Sequence, residues 1–322
     1  MAKATRQAFG EALTRLGESH PEIVVLDADL SKSTKSEIFA KKFSDRFFEM
    51  GIAEANMIGT AAGLAFAGKT PFACSFGCFL TGRYDTIRLS VAYAQANVRL
   101  VGTHAGLGIG DDGHSQMGLE DVSLMRALPT MGVFQPMDAR ETEYVVEYLV
   151  KEWKGPAYLR LTRQNLPDLY PEGAIFKPGK LMEIFPAPPV SMNRAKVVCI
   201  ATGAGVAEAV QAAKILAERG IVMSVWNAHC LKPFDEKTTL SIAKGASLIV
   251  TVEDHSVIGG LGSAVAETLA KDGGAHPMLI KLGVQDVFGE SGDPAELFEK
   301  HGFSAHAIAE RIPRELEREK TR

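Results

Sequence analysis

Apolar residues recur along this chain with two alternating periods, one helical and one strand-like. After Thr5, Phe9, Ala12, Leu13 and Leu16 fall on one helix face and Gly17 follows where such a helix would stop, so the pattern predicts a helix capped by Thr5. EIVVLDADL then gathers β-branched residues into a continuous run that ends in Asp27 and Asp29. A strand buried on both faces reads this way where it meets a polar loop at its carboxyl edge. The alternation continues with a strand at 47–50, a helix opening on Glu54, strand TPFACSF, helix TGRYDTIRLSVAYAQA, strand VRLVGTH, helix EDVSLMRALP, strand GVFQP, helix ARETEYVVEYLVKE and strand AYLRLT. Strands alternating with helices predict an α/β fold on a parallel sheet.

The periodicity lapses between 167 and 194 into PDLYPEGAIFKPGK and FPAPPVSMN, a proline-rich stretch that reads as a linker. A second α/β unit follows in KVVCIATG, GVAEAVQAAKILAERG, IVMSVWN, SLIVTVED, GGLGSAVAETLAKDG and HPMLIKLG. The charged end ERIPRELEREKTR reads as a solvated terminal helix. The predicted organisation is a domain over 1–166, a linker over 167–194 and a smaller domain over 195–322.

Composition narrows the function classes. The 322 residues are 46% hydrophobic, enough to fill two cores. With 35 basic against 39 acidic residues, the net charge of −4 gives no global attraction for nucleic acid or an anionic membrane, so any phosphate site must be local. MAKATRQAFGEALTRLGE lacks the basic-then-apolar layout of a signal peptide, and no segment is apolar for long enough to span a bilayer. The expectation is a cytoplasmic protein with no membrane or nucleic-acid partner. Cys74, Cys78, Cys199 and Cys230 stand in apolar contexts without CxxC spacing, which predicts buried thiols rather than disulfides or metal ligands.

Four places carry candidate chemistry. Glu54 opens a helix, where a carboxylate ordinarily complements the macrodipole. Its neighbours Ala53, Ala55, Gly59, Ala61 and Ala62 admit close packing, so this carboxylate would be partly desolvated and suited to exchanging a proton with a ring nitrogen. GTHAGLGIGDDGHSQMGLED follows a strand and combines glycines with His104, Asp111, Asp112 and His114; it reads as a ligand-binding loop or a flexible one, and matches neither dinucleotide nor P-loop spacing. Phe76 and Phe79 could sandwich a flat ring or simply pack a core. In LRLTRQNLP, Arg163 lies beyond the strand, where a phosphate could be held, whereas Arg160 lies within it.

In order along the chain, DADLSKS, GIAEANMIG, SFGCFLTGRYDTIR, GTHAGLGIGDDGHSQMGLED, LTRQNLP and VEDHSVIGGLG resemble the C-terminal half of transketolase, a thiamine-diphosphate enzyme. The resemblance covers nearly the whole chain and implies a pyrimidine-binding domain followed by a transketolase C-terminal domain. It implies that Glu54 hydrogen-bonds the cofactor's aminopyrimidine, that Phe76 and Phe79 hold that ring, and that Asp29 lies near the thiazolium. A third family aromatic falls at Gly82, with Tyr84 close by in sequence. His104 and Asp112 match groups beside the reacting carbons and hydroxyls, and Arg6, Ser33 and Arg163 match the cluster gripping the sugar phosphate. Gln116 stands where many members have a catalytic histidine; it can hydrogen-bond a hydroxyl but cannot carry a proton. Ala53 and Ala55 flank Glu54 where the family has Arg and His or Gln, which bears on substrate identity.

The family's diphosphate-binding domain, with its GDG motif and magnesium-holding asparagine, has no counterpart in the sequence. The resemblance therefore implies a split enzyme, in which an N-terminal transketolase subunit supplies that motif and the magnesium, in an α2β2 heterotetramer of the pentose phosphate pathway. The expected activity is transfer of a two-carbon ketol unit from a ketose phosphate to an aldose phosphate. Readings ranked lower are a 1-deoxyxylulose-5-phosphate synthase-like protein, a 2-oxo-acid dehydrogenase beta subunit, and a non-catalytic scaffold paralogue.

Overall fold

A computed structural model describes residues 2–187 and 196–320. Within the stretch read as a linker, 188–194 lie outside the described residues. The chain forms a seven-stranded sheet in the order Cys230–Lys232, Gly132–Phe134, Ala157–Arg160, Arg99–Thr103, Thr70–Phe76, Ile23–Asp27, Phe47–Glu49. Every pairing is parallel except the first, where Cys230–Lys232 runs antiparallel to Gly132–Phe134. The central strands Ile23–Asp27, Thr70–Phe76 and Arg99–Thr103 are buried along their whole length, which is why they read as continuous apolar runs.

Connections from Ile23–Asp27 lead first outward to Phe47–Glu49 and then back across to Thr70–Phe76. Strand order thus reverses beside Ile23–Asp27, and a crevice opens at the carboxyl edge of such a point. Helices Thr5–Leu16 and Ala139–Lys151 pack one face, around Phe9, Leu13, Val145 and Leu149; helix Glu54–Phe66 packs the other through Met57, Ile58 and Ala61.

The second sheet has five strands in the order Met278–Val284, Leu248–Ser256, Lys196–Ala201, Val222–Asn227, Met182–Phe185, parallel except for the last pairing. Met182–Phe185 lies in the stretch read as a linker; it is instead an edge strand of this sheet.

Four further expectations are corrected. Thr5 does not cap its helix; its hydroxyl is buried and accepts the Thr162 amide at 2.8 Å, while Ala4 occupies the cap position. The helix expected over 81–96 is broken into Gly77–Thr81, Tyr84–Thr86 and a π-helical stretch Ile87–Tyr93. Helix Ala305–Lys320 is not a solvated tail: Ile308, Ala309, Ile312 and Leu316 are buried in the second domain's core. Arg160, which the sequence places within its strand, is sealed in the interior, as described below. The four cysteines are free thiols, and Cys78 is half-buried rather than buried. No helix among the described residues is long and apolar enough to cross a membrane.

Candidate functional site

Strand ends at the reversal point converge on one edge. Asp27 closes its strand fully buried, with its carboxylate accepting the Leu30 amide at 2.7 Å, Thr34 Oγ1 at 2.6 Å and Ser36 Oγ at 2.8 Å. Burial pushes its pKa up to about 6 against the pull of those donors. These bonds fold residues 28–36 back over the edge. Within the turn, Asp29 is exposed, adopts a left-handed backbone (φ 63°) and has its amide held by Glu49 Oε1 at 2.7 Å.

Glu54 starts helix Glu54–Phe66, yet only 5% of it is exposed. Its Oε1 accepts Ser75 Oγ at 3.3 Å, from the penultimate residue of the neighbouring strand. Ala61 and Ala62 pack inward as expected, whereas Ala55 and Gly59 face solvent. A carboxylate buried at a helix mouth complements the macrodipole and, with one hydroxyl contact at 3.3 Å, keeps acceptor capacity for a further donor.

Phe76 and Phe79 are stacked on each other, with ring centroids 5.5 Å apart and planes 10° from parallel. A flat ring inserted between them would need about 7 Å, two van der Waals thicknesses, so they do not form a sandwich. His104 covers the Phe76 ring at 3.9 Å. His104 and Phe79 both stack on Phe76, and of the three rings Phe79 alone is half-buried rather than buried. Tyr84 does not extend it: the Tyr84 hydroxyl donates to the Leu124 carbonyl at 3.1 Å.

His104, buried and with a left-handed backbone (φ 56°), sits at the end of Arg99–Thr103. Arg6 Nη1 lies 2.8 Å from its Nε2; a guanidinium only donates, so Nε2 is an acceptor and the ring proton is on Nδ1, which donates to Thr103 Oγ1 at 2.9 Å. Burial, then the cations Arg6, Arg163 and Lys35, lower the His104 pKa to about 3. Arg6 Nη1 also donates to the Ser33 carbonyl at 2.7 Å, so Ser33 enters through its backbone. Burial and the Arg163 charge hold Arg6 below its usual range.

Arg163 Nη1 donates to the Ile109 carbonyl at 2.9 Å and lies 3.4 Å from Asp112 Oδ2. Arg6 and Arg163 line one cavity of about 430 Å³ with Gly108, Gly110, Asp111, Gln164 and Asp293. Two cations beside a glycine-rich backbone suit a phosphate. Gln116 is half-buried, and its backbone carbonyl accepts Cys78 Sγ at 3.1 Å, next to Phe79. The structure thus joins Arg6, Ser33, His104, Phe76 and Phe79 by direct contact, sets Arg163 beside Arg6 in the cavity with Asp112 against Arg163, and leaves Glu54, Asp29 and Gln116 outside that set of contacts. Among the described residues no group of three His, Cys, Asp or Glu side chains could hold a metal ion.

Several positioning groups escape the sequence reading. Asp121 accepts Tyr158 Oη at 2.6 Å and Arg160 Nε at 2.8 Å, all fully buried. Burial would raise the Asp121 pKa, but Arg160 and the other donors hold it low. Asp254 and Glu253, in the motif VEDHSVIGGLG, are both sealed. Glu253 accepts the Leu261 and Gly262 amides at 2.7 and 2.8 Å and so seats a helix start, while burial lifts its pKa to about 7. Asp254 reaches across to the 104–112 loop, and burial lifts its pKa to about 6. The motif was visible in sequence, but which carboxylates turn inward depends on strand register.

The family model for the transketolase pyrimidine-binding domain matches residues 1–168, and that for the transketolase C-terminal domain matches residues 189–308. A putative transketolase C-terminal section from Methanocaldococcus jannaschii is 44% identical over 320 residues, 98% of each chain. Human transketolase is 38% identical over 96% of this chain but 48% of its own length, so this chain spans about half of such full-length relatives. A split-gene transketolase solved as an inactive beta4 tetramer superposes with a TM-score of 0.86 at 42% identity, covering 98% of this chain and 99% of that one.

Proposed function

This chain belongs to the transketolase family, and we propose that it is the pyrimidine-binding subunit of a two-chain transketolase that moves a two-carbon ketol unit from a ketose phosphate to an aldose phosphate. The observation that carries this reading is Glu54, a carboxylate 5% exposed at a helix mouth, on the same sheet edge as an aromatic stack and a two-arginine cavity. Thiamine diphosphate, when bound, supplies the carbanion nucleophile and electron sink of this chemistry.

This chain's residues bind and orient. Glu54 would share a proton with the aminopyrimidine nitrogen across a hydrogen bond, and its 5% exposure leaves little room for water to compete there. Phe79, the half-buried ring of the stack it forms with Phe76 and His104, would hold the pyrimidine. Asp29, exposed in the turn after its strand, would lie toward the thiazolium. His104, neutral and anchored through Nε2 on Arg6, orients hydroxyl groups without acting as an acid, and Asp112 and Gln116 accept or donate hydrogen bonds to the sugar. Arg6 and Arg163 grip the phosphate, with Ser33 fixing Arg6 through its carbonyl.

A second polypeptide carrying the GDG motif holds the diphosphate and its magnesium, and the assembly is α2β2, working in the cytoplasm on pentose-phosphate sugars. That the split-gene relative was inactive as a beta4 tetramer supports a requirement for a partner. The test is to tag this chain in its own cells, co-purify what binds, and assay ketol transfer with thiamine diphosphate and magnesium. Turnover accompanied by a GDG-bearing chain is expected; a lone chain that stays inactive overturns the split-enzyme reading. In the assembled enzyme, Glu54→Ala should lower kcat by about 10²–10⁴-fold with the complex intact, the usual range for a proton-transfer group.

A further inference from the structure

We infer that Asp254, a residue of the second domain, is a positioning residue for the anion cavity of the first. Its carboxylate crosses between the two sheets and accepts the Leu107 amide on Oδ1 at 2.7 Å and the Gly108 amide on Oδ2 at 3.0 Å, bridging 147 and 146 residues of chain. Both bonds are buried, and Asp254 itself is 2% exposed. The next residue, Ile109, presents its carbonyl to Arg163 at 2.9 Å, so the amides that Asp254 grips and the carbonyl that aims Arg163 belong to one short turn.

The turn is shaped around this carboxylate. At Gly106 (φ 88°) a Cβ would come within 2.2 Å of Asp254 Oδ2, and at Gly108 within 3.2 Å of the same oxygen. Glycine therefore lets the backbone close over the acid, as it does where backbone must approach a charged group. Two adjacent amides pointing inward at one carboxylate cannot find water, and without it they would be buried and unpaired. The turn would relax, and with it the cavity wall and the Ile109 carbonyl on which Arg163 rests.

The inference depends on the reading of that cavity as a phosphate site, and the test separates the two. In the two-chain enzyme, Asp254→Asn and Arg163→Ala are compared on a phosphorylated ketose donor and on the same ketose without its phosphate. Asn keeps one oxygen for one amide and turns an NH2 toward the other. Asp254→Asn should raise KM for the phosphorylated donor about tenfold, the scale of one charge-assisted hydrogen bond, with kcat and the unphosphorylated donor's KM little changed. Arg163→Ala should produce the same selective rise. If Arg163→Ala is selective and Asp254→Asn is not, or if Asp254→Asn lowers kcat equally on both donors, Asp254 has no positioning role. If neither variant distinguishes the donors, the phosphate reading fails and takes this inference with it. Should the Asn variant not assemble, hydrogen exchange on the unmodified enzyme decides: the Leu107 and Gly108 amides should exchange as slowly as those of the Arg99–Thr103 strand, and rapid exchange there overturns the inference.

Discussion

At the scale of single residues, the most informative group is His104, because its environment fixes its protonation state. It is buried on Phe76 and accepts a hydrogen bond from Arg6, so a proton on Nε2 would both break that bond and place a second cation against the guanidinium. With a pKa lowered to about 3 by burial and the neighbouring cations, the ring should stay neutral across the working pH range. In an NMR titration its ring carbon shifts should be flat from about pH 8 to pH 4.5, since model histidines titrate near 6.5; an inflection near 6.5 would show that Arg6 does not lie on Nε2. The sign of the linkage follows. The unfolded chain takes up this proton below about 6.5 and the folded chain does not, so His104 withdraws stability as pH falls from about 6.5 toward 3. Asp27 acts in the opposite sense: raised to about 6, it holds its proton in the folded state where the unfolded chain has lost it, so its contribution is largest below about pH 4 and declines as pH rises through 6.

At the scale of elements, burial decides what charge patterning obscures. The charge of ERIPRELEREKTR predicts a solvated helix, yet Ile308, Ile312 and Leu316 recur at the four-residue spacing of one face of helix Ala305–Lys320 and close the second core. Ile312 is fully buried, so Ile312→Ala should lower stability by about 2–5 kcal/mol in urea denaturation; a loss below about 1 kcal/mol would mean that the helix rests on the surface. The alternating strands and helices of the first sheet were legible because each carries enough apolar residues to show its period. Cys230–Lys232 was not, since three residues show no period and their partner strand lies about a hundred residues away. The same limit applies at the site. Glu54, His104 and Arg163 stand in motifs that announce themselves, but the ring stack that excludes a sandwich, and the inward turn of Asp254 and Arg160, depend on register and rotamer, which no spacing in the sequence encodes.

At the scale of the molecule, the two sheets are tied more closely than a linker between them implied. Cys230–Lys232 leaves the second domain to complete the edge of the first sheet, Asn227 donates to both oxygens of Glu141 at 2.8 and 2.9 Å, Arg126 meets Glu267 at 2.8 Å, and Asp254 holds the 104–112 loop. Apolar clusters also mix the halves, as where Leu107, Ile109 and Met117 pack with Val197 and Val252. Unfolding either half would expose buried polar groups and apolar surface of the other, which couples their stabilities. The chain carries one tryptophan in each half to test this: Trp153, edge-on to Phe134 at 5.3 Å, and Trp226 on strand Val222–Asn227. In the single-tryptophan variants Trp226→Phe and Trp153→Phe, urea-induced fluorescence changes should share one midpoint and slope, because coincident probes mark a single cooperative transition. Separate midpoints would mean that the edge strand and Asp254 bridge two independently stable units. The 104–112 loop could then loosen from the second domain without either core unfolding, and the anion cavity, lined by Arg6 and Arg163 on one side and Asp293 on the other, would open between them.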